Sequence, residues 1–254
     1  MKTFAYVVWL LIGLGLSAAA YAVSGPSGEV GAGVGYQPYD PAGSRHQTVP
    51  LPYFDLDWGD VSLDTDDGLT WSALKADGWS AGPSINYVPG RNANGSLRGL
   101  RDVPDRALVG GFVQYSPAEF WRLYAQLGQT VGGAGGQGGW AGKVGGELGY
   151  PLAMGIIGSN QLMAHFADGR EMSTFFGVSE SDALDSGIPG YKASGGFQNV
   201  TLTQSVEFPL APRWSLVASA SWAHLLGSAA QSSIVKEVGQ VNQTSVQTAM
   251  SYKF

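Results

Sequence analysis

Hydrophobic and polar positions alternate along most of the chain. At its end, Val246, Thr248, Met250, Tyr252 and Phe254 fall on one side of an extended segment, and Gln247, Ala249, Ser251 and Lys253 on the other. In 140–150, Trp140, Val144, Leu148 and Tyr150 oppose Lys143, Gly145 and Glu147. In 213–224, Trp214, Leu216, Ala218, Ala220 and Trp222 oppose Ser215, Ser219 and Ser221. In 199–208, Val200, Leu202, Val206 and Phe208 oppose Thr201, Thr203, Ser205 and Glu207. A period of two is that of a strand with two unlike faces.

Turn signals from Gly, Pro, Asp and Asn bound twelve such segments: 28–37, 50–57, 60–65, 69–74, 78–88, 106–116, 119–130, 140–150, 155–167, 192–210, 213–226 and 243–254. Ten strands result if 60–65 and 69–74 merge. The connections alternate in length. Tight turns fall at 58–60, 75–77, 116–118, 151–154 and 211–212. Long ones fall at 38–48, 89–105, 131–139, 168–191 and 227–242, with 66–68 the one short member of that set. Short turns at one end and long loops at the other predict an all-β fold, a transmembrane antiparallel β-barrel of about twelve strands in a single domain, 23–254. The tight turns are then periplasmic and the long loops extracellular.

Aromatic placement separates this barrel from a soluble sandwich. Trp214 and Trp222 are eight residues apart, roughly 20 Å along the membrane normal at ~3.3 Å per residue and a tilt near 40°. With Trp140 and Tyr150 they mark the two aromatic girdles. The opposite faces carry Arg122, Lys143, Glu147, Glu207 and Lys253, predicted to point into the lumen. They either pair and fill the interior or line a narrow polar pore.

Composition agrees. Only 13% of residues are charged, 11% are aromatic, and 38 are Gly; a soluble domain carries about 25% charged residues. There is no Cys, which excludes disulfides and thiol chemistry. A net charge of −6 gives no basis for nucleic-acid binding. The N-terminus reads as a signal peptide over 1–22: Lys2, an apolar run from Phe4 to Leu16, and small residues Ala20 and Ala22 at the cleavage site. It places the rest beyond the inner membrane.

Candidate chemistry is thin. His46, His165 and His224 are the only histidines. A hydrolase needs one of them beside a nucleophilic Ser and an orienting third group, and no such arrangement surrounds His165. Asp64, Asp66 and Asp67 invite a Ca²⁺ loop, but Gly68 and Lys75 fall at the wrong positions for one. Asp-Gly at 67–68 is a turn signal, and an acidic turn is expected there. Gly31, Gly33, Gly35, Gly145, Gly146 and Gly149 lie on strands rather than before a helix, so they do not form a phosphate loop. No catalytic residue, metal ligand or cofactor site is assigned.

Several blocks resemble a known family. They are GAGVGYQPYDPAGS at 31–44, VPLPYFD at 49–55, GVSESDALDSGIPGYKASGGFQNVTLTQSV at 177–206 and LLGSAAQSSIV at 225–235. The chain thereby looks like the MltA-interacting protein / OmpV (MipA/OmpV) family of Gram-negative outer-membrane proteins. Where that family often has an acidic residue after LLG this chain has Ser228, and the usual Asp-Ser-Pro is Gln231-Ser232-Ser233. The resemblance implies a non-enzymatic scaffold in cell-wall biogenesis. Its partners would be outer-membrane lipid, a lytic transglycosylase and a bifunctional murein synthase. Similarity to outer-membrane proteins in general implies that Tyr252 and Phe254 are the signal read by the barrel-insertion machinery. A small-solute channel, a surface-loop binding or adhesion protein, and a membrane-embedded lipid hydrolase remain as alternatives.

Overall fold

The computed structural model describes residues 25–133 and 138–254; the cleavage residues Ala20 and Ala22 lie outside them. Its strands are β1 (Ser27–Pro38), β2 (His46–Trp58), β3 (Val61–Asp64), β4 (Gly68–Trp71), β5 (Leu74–Ala76), β6 (Trp79–Val88), β7 (Arg106–Tyr115), β8 (Trp121–Val131), β9 (Trp140–Pro151), β10 (Ile157–Ala167), β11 (Gly196–Ala211), β12 (Trp214–Leu225) and β13 (Asn242–Lys253). Each pairs antiparallel with its chain neighbours, except that β4 and β5 do not pair with each other. The last pairs with the first, from Glu29↔Lys253 to Tyr36↔Val246, and this closes the sheet.

β4 and β5 share one position in the wall. Both pair with β6, through Leu69↔Ile85 and Leu74↔Ala81. The break between them faces Pro83, which has no N–H to donate. The result is a closed antiparallel barrel of twelve strands, as the alternation predicts. Closure matters in lipid, because every backbone polar group in the wall must find a partner within the protein.

Paired residues share a face, so the registers fix what points where. Leu162 pairs with Leu202, which pairs with Trp222; all three face outward, and Leu162 is 55% exposed. Its neighbour Met163 faces inward and is 3% exposed. Gly33 lies on the inner face of β1, where a Cβ would stand 2.0 Å from the Thr248 carbonyl oxygen. A side chain there would push β1 away from β13.

Two departures from the expected layout shape the interior. β3 and β4 are only four residues each, whereas β2 has thirteen and β6 ten. Four residues rise about 10 Å at a 40° tilt, less than half of the roughly 25 Å apolar band. The acidic turn expected on the outer rim therefore stops part-way up the wall. Thr65 bonds Phe54 of β2 through its backbone N–H, 3.0 Å, and its hydroxyl. Asn86 of β6 donates to the Asp66 carbonyl at 2.9 Å.

The long loops, for their part, are not free arms. They carry α1 (Gly169–Phe176), α2 (Glu180–Ser186), α3 (Gly227–Ala230) and α4 (Ser233–Glu237). Asp168 caps α1 by accepting from the Arg170 and Glu171 amides, and Ser179 with Asp182 forms a capping box on α2. Leu97, Leu100, Val103, Met172, Phe175, Phe176, Val178, Ile188, Ile234 and Val235 pack into one core together with Ala42, Ala167 and Leu225. It is the larger of the two apolar clusters among the described residues, and apart from Ala167 and Leu225 at strand ends it is drawn from the loops and their helices.

Candidate functional site

That core stoppers one end of the barrel. α1 is fastened to inward-facing residues at the loop ends of β7 and β8. Arg106 donates to both carboxylate oxygens of Glu171, at 2.8 and 2.7 Å, and Thr130 donates to the same carboxylate at 2.8 Å. Arg91 donates to the Phe175 carbonyl at 2.7 Å. On the far side, inward-facing Gln243 of β13 donates to the Pro41 carbonyl at 2.6 Å. The described loop residues that form this core thus fill the outer mouth.

Ser228, Ser232 and Ser233, three of the four positions where the last loop departs from the family pattern, bond within this cap. Tyr191 donates to the Ser228 carbonyl at 2.8 Å. Ser232 and Ser233 donate to the Phe176 and Pro189 carbonyls, each at 2.6 Å. Two cap carboxyls, Asp168 and Asp182, are held below the ordinary carboxylate value. Burial pushes both upward, but hydrogen bonds to the Glu171 and Arg170 amides outweigh it for Asp168. For Asp182 the Ser179 hydroxyl and amide do so, helped by Arg101. Asp40 is raised, because burial there outweighs the Ala42 amide, Arg91 and Arg45.

Beneath the cap lies a cavity of about 840 Å³. Its lining runs from His165, Ala223 and Gln243 near the cap to Ser116, Glu119 and Phe120 at the turn end. One wall is neutral and hydroxyl-rich: Ser159, Gln161, Thr201, Thr203, Ser219, Ser221 and Gln247. The other is charged, and Asp67 organises it. Its carboxylate accepts from Lys143 at 2.6 Å and from Arg122, and Arg122 also reaches Glu147 at 3.0 Å. Tyr124 lies against both cations, 5.4 Å from the guanidinium carbon and 5.2 Å from the ammonium nitrogen. The network pins the tip of the β3–β4 hairpin against β8 and β9, across the lumen.

The predicted lumen charges are thus placed as follows. Arg122, Lys143 and Glu147 meet in one network, although Glu147 pairs with Arg122 and Lys143 with Asp67. Glu207 lines the cavity and accepts from Ser215 at 2.7 Å. Lys253 faces inward but is exposed at the turn-end rim, apart from the others. Asp67 is not among the lumen charges the alternation predicts, because its turn is expected on the outer rim. The signal lies in length: between the turns at 58–60 and 75–77 the chain has too few residues for two strands of the ~9–11 needed to cross a membrane.

The predicted girdle residues Trp140, Tyr150, Trp214 and Trp222 all face outward. Trp214 packs edge-on against Tyr252 with ring centroids 5.0 Å apart, and Trp222 stacks on His224 at 5.7 Å. Trp79 stacked on Tyr115 at 4.6 Å extends the turn-end belt, and Tyr36 stacked on His46 at 5.0 Å extends the loop-end belt. Phe254 donates its backbone N–H to the Gly28 carbonyl at 3.2 Å, so it ends beside the closing seam. His165 lines the cavity, facing the Lys143 position across the strand pair.

Residues 30–254 match the family model described as MltA-interacting protein MipA. No curated protein matches the chain in sequence. Among solved structures, the outer membrane protein OprG from Pseudomonas aeruginosa is similar at 11% identity and a TM-score of 0.31, over 91% of this chain and 97% of that one. An anion-selective porin from Comamonas acidovorans is similar at 12% identity and a TM-score of 0.33, over 92% and 99%. Neisserial surface protein A gives 8% identity and a TM-score of 0.27, over 92% and 100%. At these scores the likeness carries no argument about activity.

Proposed function

The chain belongs to the MltA-interacting protein MipA family, and from that premise we propose that this outer-membrane barrel is a non-enzymatic scaffold whose turn end docks a periplasmic lytic transglycosylase. The observation that supports this is the stopper. A small-solute channel needs an open outer mouth, and here that mouth is filled by a packed apolar core and a doubly bonded ion pair. What remains open to a macromolecule is the turn end.

That end is not featureless. The β9–β10 turn presents Met154, 88% exposed, with Leu152 beside it. The β7–β8 turn presents Glu119 and Phe120, which also edge the cavity. A specific interface buries about 800 Å² per partner. Tight turns alone offer little, so the partner covers several turns and the cavity mouth between them. A bifunctional murein synthase is the further partner such a scaffold would join to the first.

Capture of a purified lytic transglycosylase by the detergent-solubilised barrel tests the proposal. Wild type retains the enzyme; replacing 116–120 by a Gly-Ser turn together with Leu152→Ser and Met154→Ser abolishes retention. Equal capture by both proteins would refute the turn-end interface.

A further inference from the structure

The short β3–β4 hairpin leaves a gap in the wall. On the β1 side, β2 is paired at every residue but Trp58, from Ser27↔Asp57 to Pro38↔His46. On its other edge it pairs with β3 only from Asp55 to Trp58. Above the Thr65–Phe54 bonds, no strand among the described residues pairs with 46–53 on that edge. Across the gap, β6 meets β4 only at Ser84 and Ile85. At the base of the gap Thr65 and Asp66 are exposed. Leu51, Pro52, Tyr53, Thr65 and Asp66 all line the cavity, so the lumen reaches the gap from within.

Hydrogen-bond donors are sparse on both edges. Phe54 directs its N–H and C=O at Thr65, toward the gap. Backbone groups alternate in direction along a strand, so residues 50 and 52 direct theirs the same way. Both are proline, with no N–H to leave unpaired in lipid, where each unsatisfied donor costs several kcal/mol. On the opposite edge the Tyr87 N–H is satisfied locally, donating to Asn86 Oδ1 at 2.8 Å. A partner strand finds few donors to pair with here, and the gap can persist within the membrane.

We propose that this gap between β2 and β6 is a lateral portal through which a single-chain amphipath passes between the outer leaflet and the lumen cavity. The location selects the ligand. Outward-facing Pro50, Pro52 and Phe54 on one edge and Ile85 and Tyr87 on the other meet lipid chains. The cavity within offers hydroxyls and amides for a polar head. Its volume falls within the ~300–1,000 Å³ of small-molecule sites. The portal is independent of transglycosylase docking, since it lies toward the opposite end of the barrel.

The test is photolabelling of the barrel in phosphatidylcholine vesicles with hexadecanoic acid bearing a diazirine on its chain, with adducts assigned residue by residue. Expected are adducts on lumen-facing Leu51, Tyr53, Gln161 and Ser221 as well as on lipid-facing Leu162. A variant with β3 and β4 each lengthened by two residues, and with Pro50→Thr and Pro52→Thr so that β2 can pair, loses the lumen adducts and keeps those on Leu162. Equal lumen labelling of the two proteins would overturn the portal, as would a wild type labelled only on its lipid face. The wild-type pattern also decides by itself should the variant not assemble. Adducts at Ser116 and Glu119 without any at Leu51 or Tyr53 mean entry from the turn end, and overturn it too.

Discussion

Arg106 and Glu171 are held as a two-pronged pair, with both terminal guanidinium nitrogens within 2.8 Å of the carboxylate oxygens and both side chains 6% exposed. One residue belongs to the barrel wall and the other to the first helix of the cap. Their contact fastens the cap to the wall. Removing one partner of such a buried pair costs about 3–5 kcal/mol, because the other charge is stranded. Glu171→Ala should therefore release α1 while the strands stay paired. Limited proteolysis should cut the variant within 169–195 under conditions that leave wild type whole, while heat-modifiable migration stays unchanged. Equal resistance would show that the apolar core alone holds the cap.

Asp67 is a different case, because two cations converge on one carboxylate. Asp67→Asn leaves Arg122 with Glu147 and leaves Lys143 without its ion-pair partner. We expect a loss of several kcal/mol, in the range of a broken buried pair, seen as a lowered unfolding midpoint in urea. Asp67→Asn combined with Lys143→Met should recover part of it. No difference between the single and double variants would mean that the network does not hold the tip.

The cap should loosen in acid. Asp168 and Asp182 have folded values below the ordinary 3.8. Such groups stabilise the folded form above pH 3.8 and lose that contribution as pH falls through their lowered values. Asp40, raised above 3.8, works oppositely: its contribution is full in acid and declines as pH rises through its folded value. Amide exchange across α1 and α2 should therefore quicken as pH falls from about 5 to about 3, after correction for intrinsic rates. In Asp168→Asn the acid dependence of α1 should flatten. An unchanged profile would assign the effect elsewhere.

Deleting Phe254 removes the residue whose N–H meets Gly28 at the closing seam, next to the Trp214–Tyr252 contact. Membrane levels of the truncated protein should fall before any binding defect is measurable in the fraction that assembles. Normal outer-membrane levels would contradict an assembly role for Tyr252 and Phe254.

The wall of this barrel was legible because its solvent writes a period of two into the chain. Trp214 to Trp222 and Val246 to Tyr252 show their faces without any tertiary knowledge. The height of Asp67 was not legible from turn chemistry, since Asp-Gly marks a turn at any depth. Strand length sets the depth, and Pro50 with Pro52 speak against a full-length neighbour on the second edge of β2. The cap was hidden for another reason. Leu97, Phe176 and Ile234 are far apart in sequence, and their shared core arises only when the barrel brings the loops together. Its local signs were present, in the Asp168 and Ser179 helix starts and in more apolar residues than free loops require.

A capped lumen that works from its turn end is the claim on which the functional reading stands. Single-channel recording of the purified barrel in planar bilayers tests it most directly. Wild type should show no steady conductance, and Glu171→Ala should show openings once the cap is freed. Steady openings of the wild-type protein would contradict the account.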